Sequence, residues 1–258
     1  EPAEVREFVL QIGQWLTTQR VKLIVVACNT ATAAGLALAQ SVFEVPVIGV
    51  VEPGARAAVK STVNRRVGVI GTLGTIDSGA YSSAVRALDA GVTVFSAATP
   101  RFVDVVEQGL RLGDGTLEEW LAEMGDVYIR PSFYEMARDY LDPLKRSGID
   151  TLVLGCTHYP LLRTTIEAAL ADLAPSAITV VDSATAVALE VASLLRERGR
   201  ASDAALAGVM TGLAAWTKNS ALVVGVSLLL WLAYLRWRGP QRISLGAAAW
   251  ALAGVGIT

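Results

Sequence analysis

The sequence has few of the residues that build metal sites, disulfide frameworks or nucleic-acid surfaces. It contains two cysteines and one histidine among 258 residues. Two cysteines are too few for a disulfide framework, and a zinc site would need carboxylates at a ligand spacing that the sequence does not show. The net charge is −2, whereas phosphate binding needs a clustered basic face. These absences predict no metal, no disulfide and no nucleic-acid partner.

Charged residues are also scarce, at 18%, and they become rarest after residue 200. Residues 221–235 form an unbroken apolar run, and extending that run back to Trp216 gives the ~20 residues that a membrane-spanning helix needs. Trp237 lies beside arginines at one end, as interfacial anchors do. We therefore expect residues 204–258 to form an apolar helical tail that contacts the membrane. A buried helical pair is the alternative.

Residues 1–198 alternate between apolar runs and helical patterns. Continuous apolar, β-branched runs are typical of strands that are buried in a parallel sheet. Such strands are predicted at 22–28, 46–50, 66–72, 91–97, 150–156 and 178–183. Helices are predicted at 4–20, 30–40, 78–90, 102–112, 131–147 and 184–198. Residues 52–54 (Glu-Pro-Gly) signal a turn or boundary. This alternation predicts an α/β fold with doubly wound, mainly parallel sheets.

Two of the predicted strands end in the same way. One leads into Cys28 and the other into Cys156, and each cysteine is followed by polar residues and a helix. In open α/β sheets, ligands bind beyond the carboxyl ends of the strands. A helix that begins there offers unpaired backbone N–H groups and the positive end of its dipole. This setting predicts a carboxylate site and lowered pKa values for both thiols.

A pair of thiols on opposite sides of a ligand suits the inversion of a carbon centre. One thiolate removes a proton from one face, the other thiol returns a proton to the opposite face, and the roles exchange in the reverse direction. The carbanion needs donors on the substrate carboxylate. The candidates beside the two cysteines are Asn29, Thr30, Thr157 and His158. Because a lone cysteine after a strand is usually a small buried hydrophobe, the prediction rests on the pair.

Several segments together resemble the glutamate racemase family. VKLIVVACNTATA (21–33) and DTLVLGCTHYPLL (150–162) resemble its two signature segments. Between them, PVIGVVEPGARAAV (46–59), RVGVIGTLGTIDSGAY (66–81) and PRFVDVVEQG (100–109) resemble family segments in the family's order. The resemblance covers about residues 1–198.

The resemblance implies roles for individual residues. Cys28 and Cys156 match the catalytic cysteines, and Glu107 matches an acidic residue that supports the histidine. The positions that match substrate-binding residues are Asn29, Thr30, Thr72, Thr75, Thr157 and His158. Thr72 and Thr75 could instead only cap the following helix. The resemblance also implies a cytoplasmic enzyme that needs no cofactor or metal and that supplies D-glutamate for peptidoglycan. A homodimer is a possible assembly.

The resemblance also implies a domain arrangement and shows departures from the family. We expect two pseudo-symmetric domains, formed by residues 1–52 with 179–198 and by residues 53–178, followed by the tail. The family's DSGxGG and PYG segments are missing ahead of Glu1, so we expect an N-terminally truncated racemase. An aspartate or hydantoin racemase and an inactive or membrane-tethered fragment are the alternatives. The segment GLAAWTKNSALVV (212–224) faintly resembles a membrane glycosyltransferase.

Overall fold

The computed structural model describes residues 1–19, 21–111, 131–173 and 177–197. Its strands are β1 (Ile24–Val26), β2 (Val47–Gly49), β3 (Arg66–Gly71), β4 (Thr93–Ala98), β5 (Thr151–Gly155) and β6 (Thr179–Asp182). Its helices are α1 (Pro2–Thr18), α2 (Asn29–Val42), α3 (Val51–Ser61), α4 (Leu73–Asp77), α5 (Ala80–Leu88), α6 (Arg101–Arg111), α7 (Pro131–Arg146), α8 (Arg163–Leu173) and α9 (Ser183–Glu197). A short 3₁₀ turn covers Tyr159–Leu162.

The strands form two sheets in which every pairing is parallel. β1 pairs with β2, with Ile24 opposite Val47. The second sheet has the order β4-β3-β5-β6, and β3 is central to it, with Val67 opposite both Val94 and Thr151. Each predicted strand is present at its predicted place. The parallel, doubly wound α/β architecture predicted from the alternation is therefore confirmed for the described residues.

The strands of the larger sheet are apolar because helices cover both of their faces. All five residues of β5 are buried, and in β3 only Arg66 is exposed. On one face, Leu152 and Leu154 pack with Leu141 of α7 and Ile166 of α8. Burial on both faces removes the need for polar alternation, which explains the continuous apolar runs in the sequence. The rigid sheet then sets the positions of the residues that follow each strand.

Residues 52–54 mark a boundary rather than a turn, because they lie in the first turn of α3, directly after β2. Pro53 is the third residue of that helix, where a backbone N–H would have no partner within the helix. The first such bond comes from the next residue, as the Gly54 N–H donates to the carbonyl of Val50 at 3.2 Å. A proline in the first turn therefore starts this helix rather than ending it.

The end of the described chain contacts both sheets. β6 pairs with β5 in the four-stranded sheet, whereas Val187 and Val191 of α9 pack with Leu23 and Val25 beside the two-stranded sheet. The division into domains 1–52 with 179–198 and 53–178 stays a prediction. No helix in the described ranges is long and apolar enough to cross a membrane. The predicted tail, 204–258, lies outside the described residues.

The buried face of β5 generates a stability prediction. Leu154 is completely buried, so Leu154→Ala should lower the free energy of unfolding by about 2–5 kcal/mol, through lost burial and the cavity that remains. Leu189 on α9 is 66% exposed, and Leu189→Ala should change it by no more than about 0.5 kcal/mol. Urea denaturation measures both. Equal effects of the two substitutions would contradict this packing.

Candidate active site

Cys28 occupies the N-cap position of α2, directly beyond β1. Its backbone is extended, with φ −90° and ψ 131°, and its carbonyl accepts the Thr32 N–H at 2.8 Å, which starts the helix. The backbone N–H groups of Thr30 and Ala31 and the Thr30 hydroxyl lie close enough to the Cys28 sulfur to lower the pKa of its thiol. This is the N-terminal setting expected from the sequence, in which otherwise unpaired N–H groups meet an anionic group.

Cys156 lies directly beyond β5 and is 6% exposed. Its Sγ is 3.6 Å from Nδ1 of His158, and Nε2 of the same ring is 3.5 Å from Oε1 of Glu107. A carboxylate beside Nε2 favours the tautomer that carries the proton there, and in that tautomer Nδ1 is an acceptor towards the thiol. Thr157, which is exposed, also hydrogen-bonds the sulfur through its side chain and its backbone.

The prediction of lowered thiol pKa values is wrong for both cysteines. Burial raises the pKa of Cys28 and outweighs the hydrogen bonds that lower it. The pKa of Cys156 is raised to about 12, mainly by burial and to a smaller degree by the charge of Cys28. Tyr81 contacts the chain beside both thiols, because its hydroxyl donates to Asn29 Oδ1 at 2.7 Å and a Cβ at Gly155 would be 3.1 Å from its ring. The structure therefore brings the two strand ends together.

Three threonine hydroxyls form a closed cluster beside Cys28. Thr30 Oγ1 is 2.8 Å from Thr72 Oγ1 and 3.1 Å from Thr75 Oγ1, and the last two are 3.1 Å apart. Thr72 is also the N-cap of α4 and accepts the Thr75 N–H at 3.3 Å. Thr72 therefore caps α4, whereas Thr75 lies inside that helix, and the substrate-binding role predicted for both stays a prediction. The same hydroxyls also join α4 to the first turn of α2.

Two polar residues that sequence reasoning missed lie against Asn29. The Tyr81 hydroxyl donates to Asn29 Oδ1 at 2.7 Å, and Asn29 Nδ2 donates to Ser183 Oγ at 3.3 Å. Ser183 begins α9 directly beyond β6, so the strand-end rule that identified the cysteines would also have found it. Tyr81 lies inside α5, where the sequence pattern predicts only a core aromatic residue.

A second tyrosine positions the segment that carries His158. Tyr159 is fully buried, and its hydroxyl donates to the Thr99 carbonyl at 2.9 Å and accepts from Thr99 Oγ1 at 2.8 Å. Its ring meets Phe102 edge-on, with the ring centroids 5.4 Å apart. These contacts attach the residues beyond β5 to the end of β4 and the start of α6, on which Glu107 lies.

The contacts of His158 generate a titration prediction. Burial lowers the pKa of His158, and the charge of Glu107 partly opposes that effect. The histidine is the only one in the sequence, so its ring protons give one NMR titration curve. Its midpoint should lie below the ordinary value of about 6.5. Glu107→Gln should lower the midpoint further, whereas the control Glu44→Gln, at an exposed residue, should not change it.

The lowered pKa of His158 also determines how the stability of the folded protein depends on pH. Because the folded state binds the His158 proton less readily than the unfolded state, the stability present above pH 6.5 should fall as the pH drops through the folded-state pKa. A midpoint at or above 6.5, or one that Glu107→Gln leaves unchanged, would contradict this description of the site.

Known proteins with similar sequences are racemases. The Asp/Glu/Hydantoin racemase family profile matches residues 2–191. The glutamate racemase of Shouchella clausii is 46% identical over 192 residues, which cover 74% of this chain and 62% of that protein. The glutamate racemase of Corynebacterium glutamicum is 42% identical over 201 residues, with 78% and 66% covered. The chain therefore spans less than two thirds of the length of these curated relatives.

Solved structures of racemases have the same fold. A glutamate racemase isoform from Bacillus anthracis superposes with a TM-score of 0.64 at 39% identity and covers 78% of this chain and 67% of that one. The glutamate racemase of Francisella tularensis, solved in complex with D-glutamate, superposes with a TM-score of 0.62 at 27% identity and covers 78% and 66%. Because the family profile matches residues 2–191, most of its length, the chain belongs to the Asp/Glu/Hydantoin racemase family.

Proposed function

We propose that this protein is a glutamate racemase, which interconverts L- and D-glutamate by proton transfer between the substrate Cα and two thiols. The observation that carries the proposal is the placement of Cys28 and Cys156 beyond the ends of β1 and β5, with Tyr81 in contact with the residue beside each cysteine. The names of the relatives supply the substrate, since the curated proteins at 41–46% identity are glutamate racemases. Neither a cofactor nor a metal has a part in this chemistry.

In the proposed step, one cysteine acts as the base and the other as the acid. The thiolate takes the α-proton, so an S–H bond forms, the Cα–H bond breaks, and the electron pair stays on the substrate and spreads into its α-carboxylate. The second thiol then gives its proton to the opposite face of Cα. The enzyme ends each turnover with thiol and thiolate exchanged. This exchange is why a pair of chemically equal groups suits racemisation.

The donors around Cys28 support binding of the α-carboxylate. The first turn of α2 offers backbone N–H groups and the positive end of a helix dipole. Asn29, Thr30, Thr72 and Thr75 place an amide and three hydroxyls beside this turn. We propose that they hold the carboxylate, where their hydrogen bonds strengthen as negative charge moves onto it during deprotonation.

His158 and Glu107 support a role for Cys156 as a base. Because burial raises the pKa of Cys156, its thiol needs a partner that can take up the proton. Nδ1 of His158 lies 3.6 Å from Sγ and is the acceptor in the orientation that Glu107 favours. We propose that the imidazole takes the thiol proton before Cys156 deprotonates the substrate, and that Thr157 contacts the substrate on this side.

The proposal is tested by exchange of the substrate α-proton in deuterated water, followed by NMR. The chain should exchange L-glutamate, and Cys28→Ser and Cys156→Ser should each slow exchange by about 10²–10⁴-fold, because a serine hydroxyl is a far weaker acid and base. Ser41→Ala, at an exposed residue of α2, is the control and should exchange at the wild-type rate. Exchange by the cysteine variants at the wild-type rate would contradict the proposal.

The same assay separates glutamate from the other substrates that the family description names. We expect L-glutamate to exchange faster than L-aspartate or a hydantoin, because the similar curated proteins are glutamate racemases. Faster exchange of aspartate or a hydantoin would assign the chain to that activity instead. Wild-type protein that exchanges none of the three would favour the alternative of an inactive racemase fragment.

The predicted apolar tail at 204–258 generates a separate localisation test. We propose that the racemase part lies in the cytoplasm and that the tail anchors it to the membrane through its apolar run. The expressed chain should sediment with membranes and resist extraction by high salt or alkali, while a variant that ends at Glu197 should not. Recovery of both forms in the supernatant would contradict membrane insertion. The predicted homodimer is tested by sedimentation of the shorter variant.

A further inference from the structure

We propose that Tyr81 is a positioning residue for the racemase site and acts with Ser183 through Asn29. This inference rests on the proposed function above. Tyr81 lies on α5, Asn29 begins α2 beside Cys28, and Ser183 begins α9 beyond β6. The three side chains therefore connect the cysteine-bearing end of the two-stranded sheet to elements of the four-stranded sheet.

The three side chains are buried, and each finds its polar partners within the group. Tyr81 and Asn29 are each 2% exposed, and Ser183 is 3% exposed. The Tyr81 hydroxyl donates to Asn29 Oδ1 at 2.7 Å and also hydrogen-bonds Ser183, to which Asn29 Nδ2 donates at 3.3 Å. An amide that is held at both its oxygen and its nitrogen cannot rotate without leaving a buried polar atom unpaired.

The space for the Tyr81 ring is made by two glycines that lie on either side of it. A Cβ at Gly54 would be 3.0 Å from the Tyr81 hydroxyl oxygen and 3.3 Å from Ser183 Cβ. A Cβ at Gly155 would be 3.1 Å from Tyr81 Cε2. Because Gly155 directly precedes Cys156, the ring packs against the strand end that carries one thiol, while its hydroxyl holds the residue after the other thiol.

This arrangement gives Tyr81 an effect on catalysis without contact with the substrate. Asn29 lies between Cys28 and the residues Thr30 and Ala31, whose N–H groups lower the pKa of the Cys28 thiol. If its amide is released, the first turn of α2 can shift relative to β5, and the two thiols lose their alignment across the substrate. A misplacement of about 1 Å in an active site costs roughly 100-fold in rate.

The test removes the hydroxyl and keeps the ring. We expect Tyr81→Phe in the full chain to lower kcat for glutamate by about 10- to 100-fold, with KM changed by a smaller factor, because the ring still fills its space. Tyr134→Phe is the matched control, since the Tyr134 hydroxyl donates to Asp172 between α7 and α8. It removes the same atom, and the resulting enzyme should keep the wild-type kcat.

The double variant tests whether the two residues act through one amide. If Tyr81 and Ser183 both act on Asn29, then Tyr81→Phe with Ser183→Ala should lose less than the product of the two single losses. A Tyr81→Phe enzyme with wild-type kcat, a Tyr134→Phe enzyme that is equally impaired, or fully multiplicative losses would each overturn the inference.

A second readout keeps the inference separate from the proposed function. Alkylation of Cys28 by iodoacetamide, followed by peptide mass spectrometry, needs no turnover. Release of the first turn of α2 should speed this alkylation several-fold in Tyr81→Phe but not in Tyr134→Phe. Wild-type protein without α-proton exchange would reject the proposed function, and an unchanged alkylation rate would still reject the role of Tyr81. If Tyr81→Phe does not fold, Ser183→Ala takes its place, and both kcat and the rate of Cys28 alkylation are measured on that variant.

Discussion

The site depends on one constraint, which is that two thiols on different sheets must face one common space. Each sheet by itself places one cysteine beyond the end of one strand. The polar contacts between the elements that follow those strands then bring the two ends together. Hydroxyls of Thr30, Thr72 and Thr75 join α2 to α4, and the Asn29 amide joins α2 to α5 and α9. These contacts are 2.7–3.3 Å long and are buried or partly buried, and together they make the arrangement specific.

Burial has two opposing consequences for the proposed chemistry. It makes each thiolate costly to form, as the raised pKa values of Cys28 and Cys156 show. It also strengthens every hydrogen bond that stabilises the charged form once that form exists. The N–H groups of α2 supply such bonds on one side, and the pair of His158 and Glu107 supplies a proton acceptor on the other. Different residues therefore assist thiolate formation at the two cysteines: N–H groups of α2 at Cys28, and His158 with Glu107 at Cys156.

The sequence predicted the features that depend on local pattern. Continuous apolar runs identified every strand, and the strand-end rule selected Cys28 and Cys156. The features that depend on distant packing could not be predicted in this way. The burial that raises both thiol pKa values comes from elements far apart in the sequence, and a helical tyrosine such as Tyr81 looks like any other core residue. The signal at Pro53 predicted a boundary but did not distinguish a turn from the start of a helix, because a proline suits both.

The membership of the chain in the Asp/Glu/Hydantoin racemase family rests on the match over residues 2–191 and on the shared fold. The central claim about mechanism is that the proton leaves one face of Cα and another arrives at the opposite face from a different group. The most direct measurement is the label at Cα during the first few per cent of conversion of L-glutamate in deuterated water. Two separate thiols predict D-glutamate that carries deuterium while the remaining L-glutamate is still unlabelled. D-glutamate that retains the original protium would show that a single group serves both faces, and it would contradict the account.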